Sequence, residues 1–361
     1  MGNASYLVVD PSRWDRSTRS DRQLLVEVWY PVDPGTADLE QGEIIDFVHD
    51  PWDDLVVKVF SLLLPAEELA NLFRTTGSLP QAPLASGSGP FPLVIFSHGN
   101  GGMRFQNYTL ARHLASHGFI FAAPDHTENA AFTALPDAFV IYNPLLMAKS
   151  FFDRPQDIGC CIDTLLELGS PGSGDRLEGA IDPDRIALGG HSFGGLGVMT
   201  EVQTDDRIKA GLDLAGPWIS IALFNLNVPM MYMIGLEDKT VGVPYNPLIV
   251  DVFEHSPAPR FLIEFMDGEH FTFTDACAIA PTLFGSADGC GQGKRSSDGS
   301  PFQFVDPDLA QSIQHAYVTA FFSLVVKGDE QYRPYLTANH FPDVIRFSSA
   351  LPSSTHGASQ F

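Results

Sequence analysis

The feature that most constrains the fold is a serine flanked by glycines, which directly follows an apolar segment. Residues 186–195 read Ile-Ala-Leu-Gly-Gly-His-Ser-Phe-Gly-Gly. In such a G-x-S-x-G pattern the serine occupies a tight turn between a buried strand and a helix, and the glycines let neighbouring backbone approach closely. The required context is present, because an apolar run precedes the motif and a helical pattern follows it. We therefore predict that Ser192 is a nucleophile at the end of a strand.

The rest of the chain repeats one pattern, in which an apolar run of strand length is followed by a turn and an amphipathic segment. The apolar runs lie at residues 24–30, 92–97, 119–124, 186–189, 210–214, 229–235 and 260–265. Helical patterns lie at residues 105–116, 154–168 and 307–326. Apolar runs without polar alternation are typical of strands that helices cover on both faces. We predict one α/β domain over residues 1–361, with a mostly parallel sheet.

Residues 44–86 interrupt this alternation and are predicted to form a helical insertion. Between residues 52 and 75, apolar side chains such as Leu55, Val59 and Leu63 recur at near-helical spacing. One interpretation is an extra helix pair packed on the core. The other is a cap over the active site, whose apolar face shapes an acyl or lipid pocket, and the two are compatible. Residues 345–361 are interpreted as a C-terminal tail.

An oxyanion hole requires two backbone N–H groups near the nucleophile, and one of them comes from the next residue. Here that residue is Phe193. The second N–H is expected from the turn after an earlier strand, and the glycine-rich sequence 98–102 follows such a run. We assign this role to Asn100 and keep Gly99 as the alternative.

The base and the acid must come from loops that follow the later strands. His270 follows the last apolar run and is the predicted base. Two strand ends offer a carboxylate: Asp238 lies in a loop directly after its run, while Asp213 falls inside its own run. An orienting acid needs a loop position from which it can accept the imidazole N–H, which favours Asp238 and leaves Asp213 as the alternative. We expect the neighbouring Glu237 to be exposed.

Three glycine-containing motifs carry a family resemblance: Ser-His-Gly-Asn-Gly-Gly at 97–102, Leu-Ala-Ser-His-Gly-Phe at 114–119 and Gly-His-Ser-Phe-Gly-Gly at 190–195. Together they resemble the α/β-hydrolases grouped with plasma-type platelet-activating-factor acetylhydrolase and with bacterial dienelactone-hydrolase-like esterases. The resemblance spans residues 20–326 apart from the insertion. It implies an α/β-hydrolase fold, with helices on both faces of a mostly parallel sheet, and ester hydrolysis.

The acid departs from the acetylhydrolase pattern, because the chain reads Leu-Ala-Gly at 214–216, where that pattern has an aspartate. Bacterial cutinase-like polyester hydrolases place the acid after the following strand, and Asp238 matches that segment in position. The same resemblance aligns Pro217-Trp218 with a Pro-Trp pair whose indole flanks the acyl part of the substrate. It implies a substrate-binding role for Trp218, alongside Gly99, with a plain core position as the alternative for the tryptophan.

Composition argues against several other classes of protein. The chain has 44 acidic residues and only 21 lysines and arginines, and its net charge of −23 repels nucleic acid. No window holds the roughly 18 to 20 uninterrupted apolar residues of a membrane span, so we expect no stable membrane insertion. No cysteine or histidine spacing indicates a metal site, and the predicted chemistry needs no cofactor.

The four cysteines form two pairs in the sequence. Cys160 and Cys161 lie inside a helical pattern and are expected to be free thiols. Cys277 and Cys290 flank a loop rich in Gly, Ser and Asp, and here a disulfide and two free thiols are both open. A disulfide favours a periplasmic or secreted protein, and free thiols favour a cytoplasmic one. The N-terminal residues show neither the basic nor the apolar region of an export signal, and the oligomeric state stays open.

These residues predict a serine carboxylic-ester hydrolase that acts through an acyl-enzyme on a small hydrophobic ester. Ser192 is the nucleophile, His270 the base and Asp238 the acid. Lactones or dienelactones, acetylated phospholipids and polyesters are alternative substrates, because the same triad serves each. A hydrolase-fold binding protein without catalysis is the alternative from a different class.

Overall fold

A computed structural model describes residues 1–36, 38–48, 51–85, 87, 89–217, 226–241, 245–285 and 289–352 of the chain. The strands are β1 (Gly2–Asp15), β2 (Ser20–Tyr30), β3 (Leu79–Pro80), β4 (Phe91–Ser97), β5 (Ile120–Pro124), β6 (Phe132–Leu135), β7 (Ala138–Ile141), β8 (Ile181–His191), β9 (Ile208–Leu214), β10 (Met230–Gly235), β11 (Arg260–Phe265), β12 (Gln292–Lys294), β13 (Pro301–Gln303) and β14 (Ile345–Ala350). The α-helices are α1 (Asp53–Leu63), α2 (Ala66–Leu69), α3 (Tyr108–Ser116), α4 (Met147–Leu168), α5 (Phe193–Glu201), α6 (Asn246–His255), α7 (Ala276–Ile279), α8 (Pro281–Gly285) and α9 (Pro307–Val325).

Within the described part of the chain, ten strands form one sheet in the order β14-β11-β10-β9-β8-β4-β5-β2-β1-β3. The strands from β11 to β5 in this order are all parallel. On β4, Val94 and Phe96 belong to one hydrophobic cluster, and Leu93 and Ile95 belong to another. Since successive side chains point to opposite faces of a strand, the sheet is buried on both sides. The predicted α/β-hydrolase fold with a mostly parallel sheet is confirmed.

The sequence prediction misses strands at both edges of this sheet. Strand β1 pairs antiparallel with β2, and β14 pairs antiparallel with β11. Both strands mix buried and exposed positions, so neither has the continuous apolar run that marks the central strands. The segment interpreted as a C-terminal tail thus begins with a strand over residues 345–350, and residues 353–361 lie outside the described part.

The insertion at 44–86 contains α1, α2 and two short 3-10 helices, Ile44–Phe47 and Ala70–Phe73. Its inward-facing side chains join the hydrophobic cluster on one face of the sheet, among them Phe47, Val56 and Leu72. On α2, Glu68 is buried, and its carboxylate accepts a hydrogen bond of 3.0 Å from the backbone N–H of Thr282 on α8. The insertion is therefore packed on the core, and its helix α2 is also hydrogen-bonded to helix α8.

Cys277 and Cys290 form a disulfide in the loop where the sequence left the pairing open. The bridge joins α7 to the segment that precedes β12. Cys160 and Cys161 are free thiols on α4, as expected.

Candidate active site

Ser192 lies at the turn between β8 and α5, with φ of 54° and ψ of −122°. Residues other than glycine rarely adopt this backbone conformation. Here tight packing around the turn holds Ser192 in it. The backbone N–H of Ser192 donates to the carbonyl of Leu214 on β9 at 2.8 Å. A Cβ added to Gly194 would lie 2.0 Å from the carbonyl oxygen of Ser97 at the end of β4, so only glycine fits. The strand, strained turn and helix that the motif predicts are all present.

His270 and Asp238 meet at the same edge of the sheet, where β11 and β10 end. His270 Nδ1 lies 2.8 Å from Asp238 Oδ2. The other carboxylate oxygen, Oδ1, accepts a hydrogen bond of 2.9 Å from the backbone N–H of Val241. Both side chains are almost fully buried. The loop position predicted for Asp238 therefore brings its carboxylate to the imidazole.

The charge of Asp238 determines which nitrogen of the imidazole carries the proton. Burial alone would raise the pKa of Asp238, but the hydrogen bonds from His270 and from the Val241 N–H hold this pKa below its usual range. An ionised carboxylate only accepts, so Nδ1–H is the donor and Nε2 remains for Ser192. Ser192 and His270 line one cavity, although no hydrogen bond joins their side chains in the described chain. Such contacts often tighten only when a substrate binds.

The alternative acid, Asp213, lies inside β9, and its carboxylate packs beneath the start of α5. A Cβ added to Gly195 would lie 2.1 Å from Asp213 Oδ1, and one added to Gly216 would lie 2.2 Å from it. The carboxylate that reaches His270 is that of Asp238.

The expectation that Glu237 is exposed is wrong. The residue is buried, and its carboxylate accepts a hydrogen bond of 2.7 Å from the backbone N–H of Ser296. The segment around β12 and β13 folds back over this loop, a long-range contact that local sequence does not reveal.

His191 is a residue of the site to which the sequence argument gave no role. It lines the cavity, and its Nε2–H donates to the backbone carbonyl of His270 at 2.9 Å. Its Nδ1 accepts from Gln106 Nε2 at 3.1 Å. Burial, together with the nearby His270, lowers the pKa of His191 to about 3, so the ring is neutral. The position of His191 next to Ser192 in the sequence indicates that it lies near the site. Its hydrogen-bond partners, His270 and Gln106, are distant along the chain, so the sequence does not reveal these contacts.

The two predicted oxyanion donors belong to segments next to Ser192: Phe193 follows it in the chain, and the loop with Asn100 passes beside it. Phe193 is the first residue of α5, where a backbone N–H has no partner within the helix. In the loop after β4, the N–H of Gly99 donates to Gln106 Oε1 at 3.3 Å, whereas that of Asn100 has no acceptor among the described residues. A Cβ on Gly99 would lie 3.4 Å from the Cβ of Ser192, so this loop touches the nucleophile. Among the described residues, the Asn100 N–H is thus the one of the two predicted alternatives that has no acceptor.

A cavity of about 630 Å³ opens beside Ser192 and His270. Apart from the polar edge formed by the serine, the histidines and the loop after β4, its lining is mostly apolar. The apolar lining comes from the insertion, from the β6–β7 hairpin and from α7 and α8: Ile44, Val48, Val56, Val59, Phe60, Leu63, Leu72, Phe132, Phe139, Ile141, Ile279 and Leu283. This size and polarity are typical of a small-molecule site. Trp218, predicted to contact the substrate, lies outside the described residues.

The described residues contain no group of three or more His, Cys, Asp or Glu side chains arranged to hold a metal ion. None of their helices combines the length and the apolar character needed to cross a membrane.

A mostly parallel sheet that presents a serine on a strained turn between strand and helix defines the α/β-hydrolase fold. More particularly, residues 67–138 match the family described as platelet-activating factor acetylhydrolase, isoform II. The chain therefore has the α/β-hydrolase fold and is similar in sequence to platelet-activating factor acetylhydrolases.

Individual relatives and a solved structure agree with this assignment. The chain is 30% identical to the platelet-activating factor acetylhydrolase of Cavia porcellus over 164 residues, which are 38% of this chain and 37% of that protein. It is also 30% identical to the Bos taurus acetylhydrolase, over 39% of this chain and 38% of that protein. The chain thus spans less than half the length of these curated relatives. In structure it resembles a ferulic acid esterase from Streptomyces cinnamoneus, with a TM-score of 0.68 and 23% identity over 91% of this chain and 90% of that one.

Proposed function

We propose that this α/β-hydrolase is a carboxylic ester hydrolase with Ser192 as nucleophile, His270 as general base and Asp238 as orienting acid. The observation that carries the proposal is the 2.8 Å contact between His270 Nδ1 and Asp238 Oδ2, on the wall of the cavity that Ser192 also lines. The names of the relatives, which are acetylhydrolases and an esterase, support the same class of reaction.

The reaction follows from the directions of these hydrogen bonds. His270 Nε2 takes the proton from Ser192 Oγ as the oxygen attacks the ester carbonyl, and Asp238 stabilises the imidazolium that forms. The backbone N–H groups of Phe193 and Asn100 hold the negative oxygen of the tetrahedral intermediate. The imidazolium then protonates the departing alcohol and leaves an acyl group on Ser192. Water, activated by the same imidazole, releases the acid.

The cavity favours an ester with an apolar acyl or alcohol group. Its walls beyond the catalytic side chains are aliphatic and aromatic, so they favour an apolar group over a charged one. A second candidate is the acetyl ester of a phospholipid, which is favoured by the match to platelet-activating factor acetylhydrolases. In that case the small acyl group lies at Ser192 and the long chain of the lipid occupies the cavity.

Replacement of the nucleophile tests the proposed reaction. Ser192→Ala removes the attacking oxygen, so we expect turnover of p-nitrophenyl esters to fall by a factor of at least about 10⁴, while the thermal unfolding profile stays cooperative. Ser116→Ala, at an exposed position on α3, is the matched control and should keep full activity. Retained turnover in the Ser192 variant would refute the assignment.

A series of p-nitrophenyl esters from acetate to dodecanoate distinguishes the substrates. Turnover that rises with acyl length supports an acyl pocket. Turnover confined to acetate supports the acetyl-ester candidate and contradicts the acyl pocket.

A further inference from the structure

One buried cation contacts the loop that carries the candidate oxyanion donor. Arg154 on α4 is 1% exposed, and among the described residues no carboxylate oxygen lies within 4.0 Å of its guanidinium nitrogens. Its Nη1 donates to Ser97 Oγ at 2.7 Å and to the carbonyl of His98. Its Nη2 donates to the carbonyl of Gly99 at 3.1 Å. A buried arginine is costly to desolvate, yet this one is directed at the backbone that precedes Asn100.

The geometry of the peptide unit connects this contact to the active site. The carbonyl of Gly99 and the N–H of Asn100 belong to the same peptide plane and point in opposite directions when the bond is trans. A guanidinium that holds the carbonyl on the α4 side therefore turns the N–H away from α4. The Asn100 N–H has no acceptor within the described chain, and Asn100 lines the cavity beside Ser192. The Gly99 carbonyl also accepts from His98 Nδ1–H at 2.6 Å and from the Gly102 N–H at 3.1 Å, so Arg154 is one of three donors that direct the Asn100 N–H, which it does not itself touch.

The same guanidinium also contacts the residue that supplies the other donor. Its central carbon lies 4.8 Å from the ring centroid of Phe193, within the range of a cation–π interaction. One side chain therefore packs against both halves of the candidate oxyanion hole.

A chain of buried hydrogen bonds holds Arg154 in place, and the direction of each bond is determined by its chemistry. Arginine only donates, so Ser97 Oγ accepts from Arg154 and gives its own hydrogen to His126 Nε2 at 2.9 Å. His126 Nδ1–H then donates to Asp157 Oδ2 at 2.9 Å. Burial, followed by the charge of Arg154, lowers the pKa of His126 to about 4, which fits a neutral ring with one donor and one acceptor. Asp157 is also paired with Arg22, so the chain ends on a compensated carboxylate.

Asn129 adds a second connection between Arg154 and the loop. Its Oδ1 accepts from Arg154 Nε at 3.2 Å, and its Nδ2 donates to the side chain of Asn100 at 2.8 Å. Its backbone carbonyl accepts from the N–H of Gly101 at 3.0 Å. Both sides of the Asn100 peptide are thus tied to the same buried arginine.

We propose that Arg154 is a positioning residue that sets the oxyanion hole by orienting the Asn100 N–H and supporting Phe193. The inference rests on the proposed ester hydrolysis, because only a developing oxyanion uses these donors. Its effect should appear in the transition state and hardly in the ground state, since the guanidinium lies behind the loop and does not line the cavity.

Kinetics of Arg154→Met and Arg154→Lys, each compared with wild type, test this proposal. Removal of one oxyanion donor typically lowers kcat by about 10²–10³-fold, so for Arg154→Met we expect a loss of about 10²-fold with KM nearly unchanged. Arg154→Lys keeps a cation but lacks the planar fork, and we expect it to recover part of this loss. Inhibition by a trifluoromethyl ketone, whose adduct with Ser192 places an oxyanion in the hole, should weaken by the same factor as kcat/KM.

Arg260→Lys is the matched control, because Arg260 likewise donates to a backbone carbonyl, that of Ser256 at 2.6 Å, and packs against an aromatic ring, that of Phe253. It lies at the start of β11 and takes no part in the hydrogen bonds that connect Arg154 to the loop after β4. This control variant should change the unfolding temperature and leave kcat within about twofold. If Arg154 only stabilises the fold, Arg154→Lys will behave like the control variant, with a changed unfolding temperature but unchanged kcat and unchanged ketone inhibition. That result would overturn the proposal. If Arg154→Met does not fold, the result for Arg154→Lys alone decides between the two roles.

The Ser192→Ala variant separates failure of this inference from failure of the proposed function. Activity that survives in Ser192→Ala refutes the ester hydrolase itself. Activity that is lost in Ser192→Ala but kept in both Arg154 variants refutes only the role of Arg154.

Discussion

At the residue scale, the candidate site is a set of hydrogen bonds that each have one chemically allowed direction. Asp238 accepts from His270 and from the Val241 N–H, which leaves the imidazole only one nitrogen for Ser192. His191 holds the backbone of His270 from the other side. An ionised acid beneath the base therefore controls the tautomer as well as the orientation of the ring.

Replacement of the acid tests this arrangement. In Asp238→Asn the amide can place a donor opposite His270 Nδ1, which favours the wrong tautomer, so we expect kcat to fall by about 10³–10⁴-fold with a small change in KM. Asp213→Asn is the control from the alternative assignment and should keep kcat within about threefold, since Asp213 packs under α5 instead of against the imidazole. The reverse outcome, in steady-state kinetics with p-nitrophenyl butyrate, would assign the acid to Asp213.

Residues of this site differ in how far sequence alone can place them. Ser192, Asp238 and His270 sit in short motifs or directly after apolar runs, so their positions at one edge of the sheet follow from local pattern. Arg154 and His191 act on backbone groups that lie far away along the chain. Nothing in their immediate neighbours specifies these partners, and only the folded structure shows the contacts.

At the element scale, the insertion both packs on the core and forms one wall of the cavity. Helix α1 buries Val56 but leaves Leu62 and Leu63 exposed. Only Leu63 of these two lines the cavity. The apolar spacing of the sequence predicts a helix here, whereas the side of the helix that meets the site depends on tertiary packing.

The two adjacent leucines give a matched test of the cavity wall. A carboxylate introduced by Leu63→Asp faces the apolar cavity, so we expect kcat/KM for p-nitrophenyl octanoate to fall about tenfold or more, with acetate changed much less. Leu62→Asp adds the same charge to the same helix outside the cavity, and it should leave both esters within about twofold. Equal effects of the two variants on octanoate would show that α1 does not contact the acyl chain.

At the scale of the whole molecule, the sequence predicts the central part of the sheet better than its edges. Continuous apolar runs mark the parallel strands because helices cover both of their faces. Strand β14 at one edge and strand β1, next to the short β3 at the other edge, carry mixed patterns and depend on pairing partners for their conformation. The net charge of −23 is a property of the whole chain, and buried carboxylates such as those of Asp157 and Asp238 contribute to it, whereas the cavity lining is mostly apolar.

Ser192 as the nucleophile is tested most directly by identifying the residue that a fluorophosphonate modifies in the intact protein. Attack by an activated serine on phosphorus expels fluoride and leaves a stable phosphonyl ester, so peptide mass spectrometry locates the nucleophile. We expect one modified site, Ser192, with labelling slowed by an ester substrate and absent from Ser192→Ala. Labelling at another residue, or none in folded protein, would contradict a nucleophilic Ser192.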